Sequence, residues 1–153
     1  VPQIDEDGPA SLPERNKQVV RRLYEEVFGQ GRLHTADELV HPDAVDLHDA
    51  QDRRGPERVK EVVTMLRSAF PDQRWDITEL VCEGDRVAMY STWTATHEGS
   101  FMGMPATHRQ ACVHHMYLFR LAEGKIIEYA AVRDDLGMMG QLGLLPPRGK
   151  SPN

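Results

Sequence analysis

The chain reads as an α+β domain, with helices first and a curved antiparallel sheet after them. Three observations predict this. Between Ser11 and Phe70 the apolar residues recur at helical spacing. From Arg74 onward they alternate with a period of two. The strands of that second half are joined by tight turns, Glu83-Gly84-Asp85 and Ala122-Glu123-Gly124. Helices followed by hairpin-linked strands pack as a layer on one face of a sheet. The 153 residues suit one domain with one core. Its expected extent is 11–145, between an acidic, Pro/Gly-containing tail at 1–10 and a flexible tail at 146–153.

The first helix opens on Ser11, whose spacing from Glu14 fits a capping box. Val19, Leu23 and Val27 form one row, and Val20, Tyr24 and Phe28 the next, so one face is apolar. Gly29 and Gly31 stop it. Thr35 and Glu38 suggest a cap for a short helix with Ala36, Leu39 and Val40, ended by His41-Pro42. Asp43–His48 is a candidate short strand, and Gln51–Gly55 a polar loop. Pro56 sits where helices accept proline, in a first turn. Val59, Val62, Val63, Leu66 and Phe70 give that helix its apolar face, and Pro71-Asp72 breaks it. Strands follow over Trp75–Glu83, Arg86–His97, Arg109–Leu121 and Lys125–Arg133, with a Gly/Pro-containing loop at Glu98–His108.

Composition removes several function classes. Net charge is −6, which argues against binding a nucleic-acid backbone. No apolar run is long enough for a membrane span, and no apolar signal segment opens the sequence. Cys82 and Cys112 lie singly in strands, the usual setting of buried reduced thiols, so a cytoplasmic location is expected. There is no C-x-x-C or H-E-x-x-H spacing and no phosphate-cradling glycine loop, so neither metal nor cofactor is expected.

The chemistry concentrates where the last strand ends. Asp134 and Asp135 follow it directly, and unpaired charges are costly in a core. They form either a solvated turn or a site in which one carboxylate points into a cavity. In a regular strand Asp134 shares a face with Val132, Ala130, Glu128 and Ile126. Ala130 leaves room on that face. Asp135 falls where it could instead cap the Leu136–Leu142 segment.

Several stretches carry a family resemblance: NKQVVRRLYEEVFGQGRLHTADELVHPD, LRSAFPD, THEGSFMGMPATHR, FRLAEGKIIE and RDDLGMMGQLG. The chain resembles the SnoaL-like polyketide cyclases and related ester cyclases, of the nuclear-transport-factor and ketosteroid-isomerase type of fold. The resemblance spans Asn16 to Gly143. It implies a conical barrel of curved sheet with helices on its concave face, an apolar cavity, and an acid/base aspartate at the end of the last long strand. Asp134 is the matching position. The sequence departs from the pattern at Ala130, where tryptophan is common, and at Arg133, where an apolar residue is common.

Candidate site residues follow from this frame. His114 and His115 are adjacent, so a strand sends them to opposite faces. A two-residue turn at Glu123-Gly124 puts His115 inside with Tyr117 and Phe119; a three-residue turn with a bulge puts His114 there. The first is preferred. His97, on the Trp93 face, opens the family's T-H-x-G loop. His48 resembles a family histidine displaced by one residue, and one residue flips a strand side chain. Phe101, Met104 and Tyr24 are further candidates for walls around a flat ligand.

A desolvated carboxylate suits proton shuttling, and enolate stabilisation needs donors such as His, Arg or a tyrosine hydroxyl. The catalytic set is therefore Asp134, His115 and Arg133. The expected reaction is cofactor-independent aldol cyclisation of an aromatic polyketide. Hydroxylation by the same fold, or binding of a small apolar ligand without turnover, are the alternatives. A homodimer through the outer sheet face is expected, because Tyr90, Thr92, Thr94 and Thr96 leave that face partly apolar.

Overall fold

The computed structural model describes residues 10–146, so the two expected tails lie almost wholly outside the described residues. Helix α1 runs Leu12–Arg22, and the Ser11 hydroxyl accepts the Glu14 backbone N–H as the capping pattern requires. The helix continues as a π-helical segment, Leu23–Gly29, with Leu23, Tyr24, Val27 and Phe28 buried. Widened turns of this kind are uncommon and cluster at functional sites. Here the widened turn carries Tyr24 stacked on Phe28, ring centroids 4.9 Å apart. Short α2, Thr35–Leu39, starts from His34 rather than Thr35. Strand β1, Val40–Asp46, begins before the expected segment, taking in His41-Pro42.

Helix α3, Gly55–Ala69, buries Val59 and Val63. Then come β2 (Arg74–Glu83), β3 (Arg86–Thr96), β4 (Gln110–Ala122), β5 (Lys125–Arg133) and the short α4, Asp135–Gln141. The sheet order is β1-β5-β4-β3-β2. Four strands form the expected antiparallel meander. β1 joins the far edge parallel to β5, a pairing that periodicity within one strand does not specify. The sheet is curved but not closed, with β1 and β2 as its edges; the helices complete the enclosure.

Register decides which side chains meet. Ala122 pairs with Lys125, so Glu123-Gly124 is a two-residue turn, with positive φ at both residues (52° and 76°). That is the geometry whose twist suits a hairpin. Leu121 pairs with Ile126, but Arg120 pairs with Glu128, leaving Ile127 as an extra residue. Beyond this bulge Tyr129 faces Phe119, Ala131 faces Tyr117, and Arg133 faces His115. A bulge inserts one residue and thereby exchanges the two faces of the strand. The regular-strand expectation, with Ala130 and Asp134 inside, is corrected on this ground.

The core has two parts. One joins α1, α2, α3 and the sheet through Val20, Leu23, Tyr24, Met89 and Phe119. The other lies around Phe70, Trp93, Phe101 and Leu142. Gly99 is required between them: its backbone approaches α3 so closely that a Cβ would collide with the Ser68 carbonyl oxygen. Both cysteines are free; Cys82 is half-buried, but Cys112 is exposed on the outer face, contrary to expectation.

Candidate active site

A cavity of about 490 Å³ lies between the sheet and the helical layer. Its inner walls are aromatic and aliphatic. Tyr24 and Phe28 come from the π-helical segment, Trp75 from β2, Trp93 from β3, Tyr117 and Phe119 from β4. Val59, Val62 and Leu66 of α3 face them, so the helical stripe read from the sequence is one wall of the cavity. Polar residues lie in two groups: Asp46, His48, Asp49 and Arg58 around the β1–α3 connection, and Arg133 with Asp135 where β5 enters α4.

Eight of the candidate residues line this space: Tyr24, Trp93, Phe101 and Tyr117 among them, with Phe119, His115, Arg133 and His48. Five do not. Asp134 is exposed, and its Oδ1 accepts the Gly137 N–H at 2.8 Å, capping α4. Ala130 pairs with Leu118 on the outer face. His114 is also outside, 3.1 Å from the Thr92 hydroxyl and stacked near Tyr90. His97 is fully buried but held in the second core, with Nδ1 3.1 Å from the Thr107 hydroxyl and its ring against Phe70. Met104 bridges back to Phe101 in a tight turn and does not line the cavity.

Sequence reasoning missed Trp75, Tyr129, Ala131 and Asp135, all on the cavity wall. It also missed the group anchored on Asp49, whose side chain is 4% exposed. Asp49 accepts from Arg53 Nε at 2.9 Å and from the Gln51 N–H at 3.1 Å, with Arg58 Nε at 3.2 Å. The Arg53 hydrogen bond first, against a smaller effect of burial, holds its carboxyl down at about 2. This network places Arg58 at the cavity. Only the run of Asp and Arg between 46 and 58 signalled it.

His115 and the three tyrosines of the cavity are kept neutral. His115 is 6% exposed, and burial first, then the nearby Arg133, lowers its pKa to about 4. Its Nδ1 is 3.2 Å from the Tyr117 hydroxyl. Burial pushes the Tyr117 and Tyr24 phenols well up, and pushes Tyr129 up to about 12. At neutral pH the cavity therefore presents an uncharged imidazole and three phenols inside, with Arg133 and Asp135 beside them, 3.4 Å apart. Among the described residues no group of His, Cys, Asp and Glu has the arrangement to hold a metal, and no helix is long and apolar enough to cross a membrane.

Comparison with known proteins places this site in context. The family model of the SnoaL-like polyketide cyclases matches residues 18–142. Aklanonic acid methyl ester cyclase DnrD of Streptomyces peucetius is 30% identical over 82% of this chain and 88% of its own length. Nogalonic acid methyl ester cyclase of Streptomyces nogalater is 29% identical over 76% of this chain and 89% of its own. Among solved structures, AclR of Streptomyces galilaeus, described as a candidate hydroxylase, superposes with a TM-score of 0.75 at 28% identity. It covers 89% of this chain and 100% of its own.

The neutral state of His115 is directly measurable. Its folded pKa lies below the unfolded value of about 6.5, so its contribution to stability is present above that pH and is lost as pH falls toward 4. The His115 Cε1–H resonance should titrate with a midpoint near 4. Arg133→Gln should move that midpoint up, because a positive neighbour is removed. A wild-type midpoint at the ordinary histidine value would contradict the placement.

Proposed function

Because the chain belongs to the SnoaL-like polyketide cyclase family, we propose that it catalyses an aldol-type ring closure on an aromatic polyketide carrying a methyl ester. It would work without a cofactor and by acid/base chemistry alone. The observation that carries this reading is the cavity itself: aromatic walls, a neutral histidine, and an arginine–aspartate pair on one side. The named relatives close rings on methyl esters of this class, and a volume of about 490 Å³ suits a flat polycyclic ligand.

The reaction needs a proton taken from carbon beside a carbonyl, a carbon–carbon bond to a second carbonyl, and a proton delivered to the resulting alkoxide. Asp135 takes the proton in our reading, rather than Asp134. Asp49 is occupied by two arginines, and Asp46 accepts the His48 N–H. Asp135 has a single pairing, with Arg133, and its side chain is 59% exposed, so lone pairs remain free. Arg133 stays protonated and can hold developing negative charge on oxygen.

One observation favours a second reading, hydroxylation. The residues that β5 itself turns to the cavity, Ile126, Tyr129, Ala131 and Arg133, include a guanidinium and no carboxylate. A fixed guanidinium facing a phenolate-like ligand suits oxygen chemistry that also consumes a reductant. AclR, the candidate hydroxylase, is a relative of comparable similarity.

Aklanonic acid methyl ester, incubated under labelled oxygen with and without a reductant, separates the readings. Ring closure gives a product without label and needs no oxygen. Label in the product establishes hydroxylation, and binding without turnover leaves a carrier. For the cyclase, Asp135→Asn should lose roughly 10²–10⁴ in rate, the usual scale for a general acid/base. Asp134→Asn should change turnover little, since Asn caps a helix as well as Asp. The opposite ranking would return the role to Asp134.

The outer face of the sheet exposes Met116, Leu118 and Val132 together. We propose that a second copy covers this face, as apolar patches of this kind commonly require. Light scattering at micromolar concentration should give twice the chain mass; a monomer mass would reject the dimer.

A further inference from the structure

Buried polar atoms almost always have partners, so an orphan calls for a physical reason. Among the described residues five such side-chain atoms lack a hydrogen bond: Arg58 Nε, Trp75 Nε1, Ser91 Oγ, His97 Nε2 and His115 Nε2. Arg58 Nε is met electrostatically, 3.2 Å from an Asp49 oxygen. Ser91 and His97 are not among the residues lining the cavity. Trp75 and His115 both line it, and their rings are 5.4 Å apart.

Both orphans are donors. The indole nitrogen of Trp75 can only donate. For His115 the neighbour of the other ring nitrogen fixes the tautomer. The Tyr117 hydroxyl stands 3.2 Å from His115 Nδ1. When it donates there, the imidazole proton sits on Nε2, the nitrogen without a partner. Tyr24 packs on Tyr117 from the far side, ring centroids 5.2 Å apart, and its phenol can donate to the Tyr117 oxygen. The row Tyr24, Tyr117, His115 then leaves a single N–H, that of His115 Nε2, without a partner on a residue that lines the cavity. Burial keeps the imidazole from becoming a cation that would need a counter-ion.

We propose that Trp75 Nε1–H and His115 Nε2–H form a two-donor subsite for one ligand oxygen, with Tyr117 as the positioning residue that holds the imidazole tautomer. In the ring-closing reading, on which the identity of that oxygen rests, it is the carbonyl oxygen that becomes an enolate. Preorganised donors in a water-poor pocket stabilise such an oxygen far better than water-exposed ones. Arg133, which faces His115 across β4 and β5, supplies charge from the open side. Trp75 and the tyrosines hold the flat ligand and aim its oxygen, while Arg133 and Asp135 handle charge and proton.

The test is binding, so it does not depend on turnover. The probes are 9-fluorenone and fluorene, which share a flat tricyclic skeleton and differ in one carbonyl oxygen. Equilibrium dialysis should give a preference for fluorenone of roughly tenfold, the scale of one or two buried hydrogen bonds. Trp75→Phe and His115→Phe should each remove most of that preference, and Tyr117→Phe should reduce it. Loss of packing would lower both affinities together and leave the ratio intact. In the unaltered protein, the Trp75 indole N–H resonance and the His115 Nε2 resonance should shift with fluorenone and stay nearly fixed with fluorene. An unchanged ratio in the variants, or resonances that ignore the carbonyl, would overturn the subsite. Absence of ring closure in the oxygen-labelling experiment would instead overturn the reaction and leave the subsite standing.

Discussion

One extra residue in β5 sets the chemistry of the site. The two-residue turn at Glu123-Gly124 fixes the hairpin register, and Ile127 then breaks it by one. After the bulge every side chain of the strand lies on the face opposite to the one that plain alternation assigns. Arg133 comes inside opposite His115, Ala131 leaves space opposite Tyr117, and Asp134 moves out to cap α4. Asp135 follows Arg133 to the cavity. Without the bulge the cavity would present Glu128, Ala130, Val132 and Asp134, a wall with two carboxylates and no arginine. With it the wall ends in an ion pair beside a neutral histidine.

The cost of this arrangement is concentrated in the polar atoms left without partners. An unsatisfied buried donor or acceptor costs roughly 1–3 kcal/mol. A well-packed apolar wall at Trp75 and His115 would avoid that cost. Retaining two donors there, with Tyr117 holding one of them in orientation, is the arrangement expected when a ligand completes the hydrogen bonds. Other polar groups are met locally. Asp49 gathers Arg53 and Arg58, and Gln73 accepts the Trp93 indole N–H at 3.3 Å. Of the two tryptophans on the cavity wall, Trp93 is satisfied within the protein and Trp75 is left without a partner.

Much of the fold was legible in the sequence because its signals are local. The rows through Val20 and Val27 and through Val59 and Val63 gave the buried helix faces. The alternation in Arg86–Thr96 and Gln110–Ala122 gave two strands whose inner residues are buried in strict order. The choice of His115 over His114 rested on the register that also brings Tyr117 and Phe119 inside; the turn length itself was left open by the sequence. Asp134 and Ala130 were misplaced because a bulge is stabilised by tertiary packing and leaves no mark in composition. Trp75 sat in a strand with no role assigned to it, and nothing in the sequence distinguishes an indole with a partner from one without. The parallel pairing of β1 with β5, which brings Asp46 and Asp49 to the rim, joins segments some eighty residues apart, beyond the reach of periodicity.

The inside of β5 can be probed by filling it. Phenylalanine at Ala131 projects into the cavity if the bulge stands at Ile127, whereas phenylalanine at Ala130 projects from the outer face. Binding of a flat tricyclic ketone to the two variants, measured by equilibrium dialysis on protein with native circular dichroism, is the direct comparison. The account predicts that Ala131→Phe abolishes binding and that Ala130→Phe leaves it close to the unaltered protein. Lost binding in Ala130→Phe with binding kept in Ala131→Phe would contradict it.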